Sequence, residues 1–287
     1  MHWTRNLKGI LNLFFASNCP LCQRSTKEEF CQDCTRQLQR CQRQNPGFLW
    51  QGELPVFVWG VYGGSLKRAI AALKYENQPQ IAQPLGIWLA QAWLNAKFVE
   101  SGGVFRERKN GGVASPSWKI MREAKPHRIF SAPPIFSKTG ETPSHPQLFK
   151  RADSSPIVVP IPLHTDKLQK RGYNQATLIA QSFCQITGLK LQQHGLERVR
   201  DTKAQFELSA TEREKNLTNA FGLGSAFRRH RPTEPILILD DIYTTGETVK
   251  SAAQTLRDAG MRVYGVVAIA SSKTEQGKQW EQGSRGR

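Results

Sequence analysis

The stretch PILILDDIYTTGET, Pro235 to Thr248, sets two adjacent aspartates directly after four apolar residues and follows them with hydroxyls and a glycine. A turn of this kind, leading from a buried strand into a helix, aims successive backbone N–H groups at one point, and the helix N-terminus adds partial positive charge. Such a turn holds a phosphate. Thr244, Thr245 and Thr248 offer hydroxyls, Glu247 sits in the same turn, and Gly246 lets the backbone approach closely. A dianionic phosphate would repel Asp240 and Asp241 at close range. Their place is one sugar length away, accepting hydrogen bonds from a ribose diol. The pattern reads as a ribose-5-phosphate site, with a strand end bearing surface acids and a capped helix as the bland alternative. A Walker-type loop is excluded, because the stretch has no G-x4-G-K-[ST].

A second constellation lies near the start. CPLCQRSTKEEFCQDC places Cys19, Cys22, Cys31 and Cys34 in two C-x2-C pairs. Two such knuckles present four thiolates to one tetrahedral Zn²⁺. Scattered reduced thiols or a redox pair are the alternatives, but a redox C-x2-C normally opens a helix after a buried strand, which is not expected here. Cys41 is read as spare and Cys184, in ATLIAQSFCQI, as helix core.

The elements that must position these residues follow from periodicity. Strands are expected over LPVFVWGVY (54–62), PIVVPIPLH, PILILD and RVYGVVAIAS. Helices are expected on either side of Asn77-Gln78-Pro79, in the segment ending near Gly188 after a loop over KLQKRGYNQ, and over 248–259. LSATERE carries a helix start, with Ser209 three residues before Glu212. Strands alternating with helices imply an α/β fold with a parallel sheet flanked by helices, in which ligands gather beyond the carboxyl ends of the strands. From 96 to 155 the pattern fails amid Gly-Gly pairs and scattered prolines. This segment is expected to be a disordered basic insertion, with a nucleic-acid tether as the sharper alternative. The organisation expected is an N-terminal helix and cysteine module over 1–50, a main domain over 54–272 and a polar tail over 273–287.

The chain of 287 residues carries a net charge of +17, which favours acidic partners such as nucleic acid, phosphorylated small molecules or anionic surfaces. No apolar run approaches the roughly 18 residues needed to span a membrane. The N-terminus reads as an amphipathic helix rather than a secretory leader, since Asn12 interrupts its apolar patch. The expected compartment is the cytoplasm, where thiols stay reduced.

ILILDDIYTTGET resembles the phosphoribosyl pyrophosphate (PRPP) signature of type I phosphoribosyltransferases. The four-cysteine module, VYGGSLKRAIAALKY, VPIPLHTDKLQKRGYNQA and RDTKAQFELSATEREKNLTNAF resemble one branch, the ComF family associated with bacterial competence. The resemblance implies a type I phosphoribosyltransferase fold with a zinc-binding N-terminal piece. It makes Asp240 and Asp241 the catalytic candidates, and it implies a pyrophosphate chelated with Mg²⁺ and met by the loop after VVPIPLH. There Lys167, Lys170 and Arg171 are placed to meet phosphate, and Arg171-Gly172-Tyr173-Asn174-Gln175 is the family's distinctive run. Arg200, Lys203, Gln205 and Arg213 resemble a mobile segment that closes over the site in related amidotransferases. The implied chemistry breaks the C1–O bond of PRPP through an oxocarbenium-like state. Three functions fit: a competence factor handling incoming single-stranded DNA with DNA-uptake proteins, an active phosphoribosyltransferase of nucleotide metabolism, and a PRPP-sensing regulator that binds nucleic acid.

Overall fold

The computed structural model describes residues 17–96, 155–199 and 220–273. The expected N-terminal helix, nearly all of the 96–155 insertion, the Ser209 helix start and the tail lie outside them, as do Arg200, Lys203, Gln205 and Arg213.

Five parallel strands form the central sheet: β3 (Val56–Val61), β4 (Ile157–Pro160), β5 (Lys190–Leu191), β8 (Ile236–Tyr243) and β9 (Val263–Ser271), in the spatial order β3-β9-β8-β4-β5. The apolar runs of β3, β4, β8 and β9 are buried on both faces, as a parallel sheet requires, while the short edge strand β5 is not. Alternation divides β8 between two cores. Leu237 and Leu239 join the cluster under α2 (Gly64–Tyr75), α3 (Ala82–Asn95) and α5 (Gln175–Thr187), whereas Ile236 and Ile238 pack with Val249, Ala252, Ala253 and Leu256 of α7 (Glu247–Asp258).

Smaller elements flank this sheet. Strands β1 (Ser17–Asn18) and β2 (Ser25–Thr26) form a hairpin that, with α1 (Gln32–Gln39), carries the cysteines. Strands β6 (Leu196–Arg198) and β7 (Phe221–Leu223) pair antiparallel, and α6 (Ser225–Arg229) seats Phe227 beneath them in the α7-side core. The connector after α1 runs along β3, bridging Gln42 to Gly60 and Leu49 to Val56, so the edge of the sheet is covered.

The cysteine module shares the larger core rather than forming its own. Cys19, Leu21, Phe30, Cys34 and Leu38 belong to the cluster that contains Trp59 and Trp93, and Phe30 stacks on Trp88, which stacks on Trp59. Helices α3 and α5 cross at Gly86, where an added Cβ would lie 2.5 Å from the Ile179 carbonyl oxygen and 2.7 Å from Ser182 Cβ. Gly86→Ala should therefore force the two helices apart and cost about 1–3 kcal/mol, read as a lower midpoint in denaturant. An unchanged midpoint would show that the crossing relaxes freely.

Two expectations need correction. Residues 167–171, expected in a loop, lie in a short helix, α4 (Thr165–Arg171). The His164 side chain accepts a hydrogen bond from the Asp166 N–H, and Gly172, at φ 80°, closes the helix in the left-handed region. Strand β8 also does not stop at the acids. It continues to Tyr243 because β9 stays paired beside it, matching Asp240 with Ala268 and Tyr243 with Ser271.

Candidate functional site

The sheet's order reverses at one place. From β4 the chain passes to β5 on one side, then returns as β8 on the other and moves away to β9. Loops leaving β4 and β8 therefore diverge, and a crevice opens between the carboxyl ends of these strands. Pairing of β4 with β8 ends at Pro160 opposite Leu239, so Asp240 onward is paired only toward β9 and walls the crevice. The cavity there has a volume of about 630 Å³, within the range of small-molecule sites.

Of the residues expected to act, Asp240, Asp241, Thr244, Thr248, Lys167 and Arg171 all line this cavity, as does Lys170. Thr245, Gly246 and Glu247, in the same turn, do not line it. Gly246 has φ 87°, and a Cβ there would stand 2.7 Å from the Tyr243 hydroxyl, so the turn admits only glycine. Thr245 Oγ1 accepts a long, 3.4 Å hydrogen bond from the Glu247 N–H at the start of α7.

Strand alternation carries the aspartates toward different neighbours. Asp241 continues the face of Leu237 and Leu239 and meets Lys74 of α2, whose Nζ lies 2.9 Å from one carboxylate oxygen and 3.1 Å from the other. Burial alone would lower the Lys74 pKa, but Asp241, with Asp240 behind it, outweighs burial and raises it. Asp240 Oδ1 accepts from the Asp241 backbone N–H at 2.8 Å. Burial, then the Asp241 charge, pushes the Asp240 carboxyl up to about 7, against the opposing pull of Lys74 and Arg198.

The RGYNQ run now has a physical reading. Asn174 caps α5, accepting from the Ala176 N–H at 3.0 Å, and its Nδ2 donates to the Ile161 carbonyl at 2.9 Å. Tyr173 donates its hydroxyl to the Leu73 carbonyl at 2.6 Å, tying this segment to the end of α2. Buried Gln175 accepts from Arg171. Each residue fixes the basic helix α4 against the crevice. Lys74, Tyr75, Gln175 and Arg198 also line the cavity; only Gln175, within the family's run, has a signal in the sequence. Five cationic side chains then face two carboxylates, a balance suited to a ligand with several negative charges.

The other site is the cysteine cluster. The Sγ atoms of Cys19, Cys22, Cys31 and Cys34 all lie within 4.8 Å of one another, with Cys22 and Cys31 3.4 Å apart. Tetrahedral Zn–S bonds of about 2.3 Å set sulfur–sulfur edges of about 3.8 Å, so the four fit a zinc-sized ion. The Arg24 guanidinium donates to Cys22 Sγ at 3.3 Å and, with help from the Arg24 backbone N–H, draws the Cys22 thiol down to about 6. The thiolate is thus favoured at Cys22, whereas burial raises the Cys34 thiol above the usual range. The second pair opens a helix, with Cys31 as the N-cap residue of α1, but the strand before it, β2, is not buried, so the redox arrangement is not met. Cys41 stands outside the cluster, and Cys184 is buried in α5, both as expected.

Fold and sites together define an open α/β domain with an anion-suited crevice at its switch point and a four-cysteine module, able to hold a metal ion, docked on its core. Known relatives agree with the resemblance. The chain is 33% identical over 113 residues to "Competence protein F" of Haemophilus influenzae, covering 39% of this chain and 49% of that protein. It is 36% identical over 100 residues to "DNA utilization protein YhgH" of Escherichia coli, covering 34% and 42%. With "Competence protein ComFC" of Bacillus subtilis it shares 31% over 111 residues, covering 36% and 39%. The chain is similar to these proteins over about half of their length or less. No protein-family model matches it. Among solved structures, an allosteric regulatory enzyme of purine biosynthesis aligns with a TM-score of 0.27 at 18% identity, covering 43% of this chain and 23% of that one. A Staphylococcus aureus hypoxanthine phosphoribosyltransferase aligns with a TM-score of 0.24 at 14%, covering 45% and 59%. Among the described residues, no helix is long and apolar enough to cross a membrane.

Proposed function

We propose that the switch-point cavity binds PRPP or a related ribose-5-phosphate ligand, and that the protein serves the handling of incoming DNA in natural competence. The observation that carries the binding reading is the convergence of Asp240, Asp241, Thr244, Thr248, Lys167 and Arg171 on one cavity. The 244–248 turn and the start of α7 receive the 5-phosphate, Asp240 and Asp241 accept from the ribose diol, and Lys167, Lys170 and Arg171 meet the pyrophosphate. Mg²⁺ arriving with PRPP would neutralise the pyrophosphate oxygens, which suits an ion that keeps its waters and binds mostly substrate. The DNA role rests on the printed names of the relatives. The metal held by Cys19, Cys22, Cys31 and Cys34 is Zn²⁺ in a structural role, and thiol ligands of this kind suit the reducing cytoplasm.

Isothermal titration with PRPP and Mg²⁺ tests the cavity, with saturable one-site binding expected and no heat overturning the reading. The second reading, an active phosphoribosyltransferase, draws on the same acids. Pyrophosphate release across a panel of bases and amines separates turnover from binding alone, because a fold does not fix a function.

A further inference from the structure

Tyr75 is the last residue of α2 and lines the cavity, yet it is 79% exposed, the most open of the large apolar side chains among the described residues. It follows directly on Lys74, whose ammonium is anchored on Asp241, so the ring stands beside the buried ion pair. The Arg171 guanidinium carbon lies 5.7 Å from the ring centroid, held there by Gln175 and by the Tyr173 bond to Leu73. A phenol ring left this exposed keeps face area open to a ligand even with that cation against it. Nothing in the fold needs it there: α2 buries Leu66, Ala69, Ile70, Ala72 and Leu73, not Tyr75.

We propose that Tyr75 is a stacking platform for the nucleobase of a nucleotide whose sugar and phosphate occupy the same cavity. An aromatic face beside cationic side chains is the arrangement by which proteins hold bases without reading their edges. The assignment rests on the ribose-5-phosphate reading for the sugar and phosphate, while the ring contact rests on Tyr75 itself. The base belongs either to a free mononucleotide or to the terminal nucleotide of a single strand, two sources with the same chemistry.

Isothermal titration of the full chain with ribose 5-phosphate, AMP and a 5′-phosphorylated thymidine tetranucleotide tests the platform. AMP or the tetranucleotide should bind about 5- to 150-fold more tightly than ribose 5-phosphate. Tyr75→Ala should erase that gain and leave ribose 5-phosphate affinity unchanged, and Tyr75→Phe should keep both. Because the side chain is exposed, neither variant threatens the fold. A gain with AMP that depends on Tyr75 assigns the free nucleotide, and one seen only with the tetranucleotide assigns a strand end. No Tyr75-dependent gain in either arm overturns the platform, whatever ribose 5-phosphate does. If ribose 5-phosphate fails to bind while the gain persists, the ribose-phosphate reading falls and the stacking contact stands.

Discussion

Asp240→Asn should weaken PRPP binding by about ten- to a hundredfold, since a charge-assisted hydrogen bond to the sugar is reduced to a neutral one, and should at the same time make the ligand-free protein more stable. The second half follows from burial. The Asp240 carboxyl sits at about 7 in the folded chain, against an ordinary 3.8. A carboxyl raised by folding contributes stability that is complete below its unfolded pKa and is lost as pH rises through its folded one. Between about pH 4 and pH 7, then, the fold gives up stability at this position, on the order of 2–4 kcal/mol in all. Asparagine keeps the oxygen that accepts the 2.8 Å bond from the Asp241 N–H and carries no charge to bury. Melting curves from pH 5 to pH 8 should show the variant gaining on the native protein as pH rises, by several degrees at pH 8. Superimposable pH profiles would refute the burial argument, and unchanged PRPP affinity in the Asp240→Asn, Asp241→Asn double variant would refute the ribose assignment.

Cys19→Ser should abolish metal binding and destabilise the whole chain rather than the module alone. Structural zinc contributes an apparent ~10–16 kcal/mol to folding in small peptides. Here Cys19 is fully buried in the same cluster as Phe57, Trp59 and Trp93, so a loosened hairpin opens the main core. Metal analysis of the purified protein should fall from one equivalent to none, and the unfolding midpoint should fall with it. Full metal occupancy in the variant would show that the ligand set is wrong. Loss of metal with an unchanged midpoint would show that the module contributes nothing to the core beneath it.

Much of this was legible because it depends on neighbours in sequence. The ILIL run, the acids and the glycine turn lie within a dozen residues, and so do the two cysteine pairs, so their chemistry follows from spacing. Long buried strands and amphipathic helices announce themselves by period. Lys74 did not, because on α2 it is one more polar residue at helical spacing, and only the packing of α2 on the sheet brings it to Asp241. Arg198 was hidden for a different reason: its strand, β6, has three residues, too few to show alternation. Helix α4 escapes sequence reading because it buries nothing and so carries no apolar stripe. The continuation of β8 through both acids depends on β9 alongside it, which no local pattern reports.

Helix α2 touches both sites. Near its start Ser65 donates to Gln37 of α1, Arg68 reaches the Leu21 carbonyl between the first two cysteines, and its last turn carries Lys74 and Tyr75. It is a short rigid strut with a cysteine cluster braced at one end and a polar crevice at the other. Oxidants or chelators that strip the cysteines would slacken the brace, and the aspartate–lysine latch at the far end would lose its alignment without any reagent having entered the crevice.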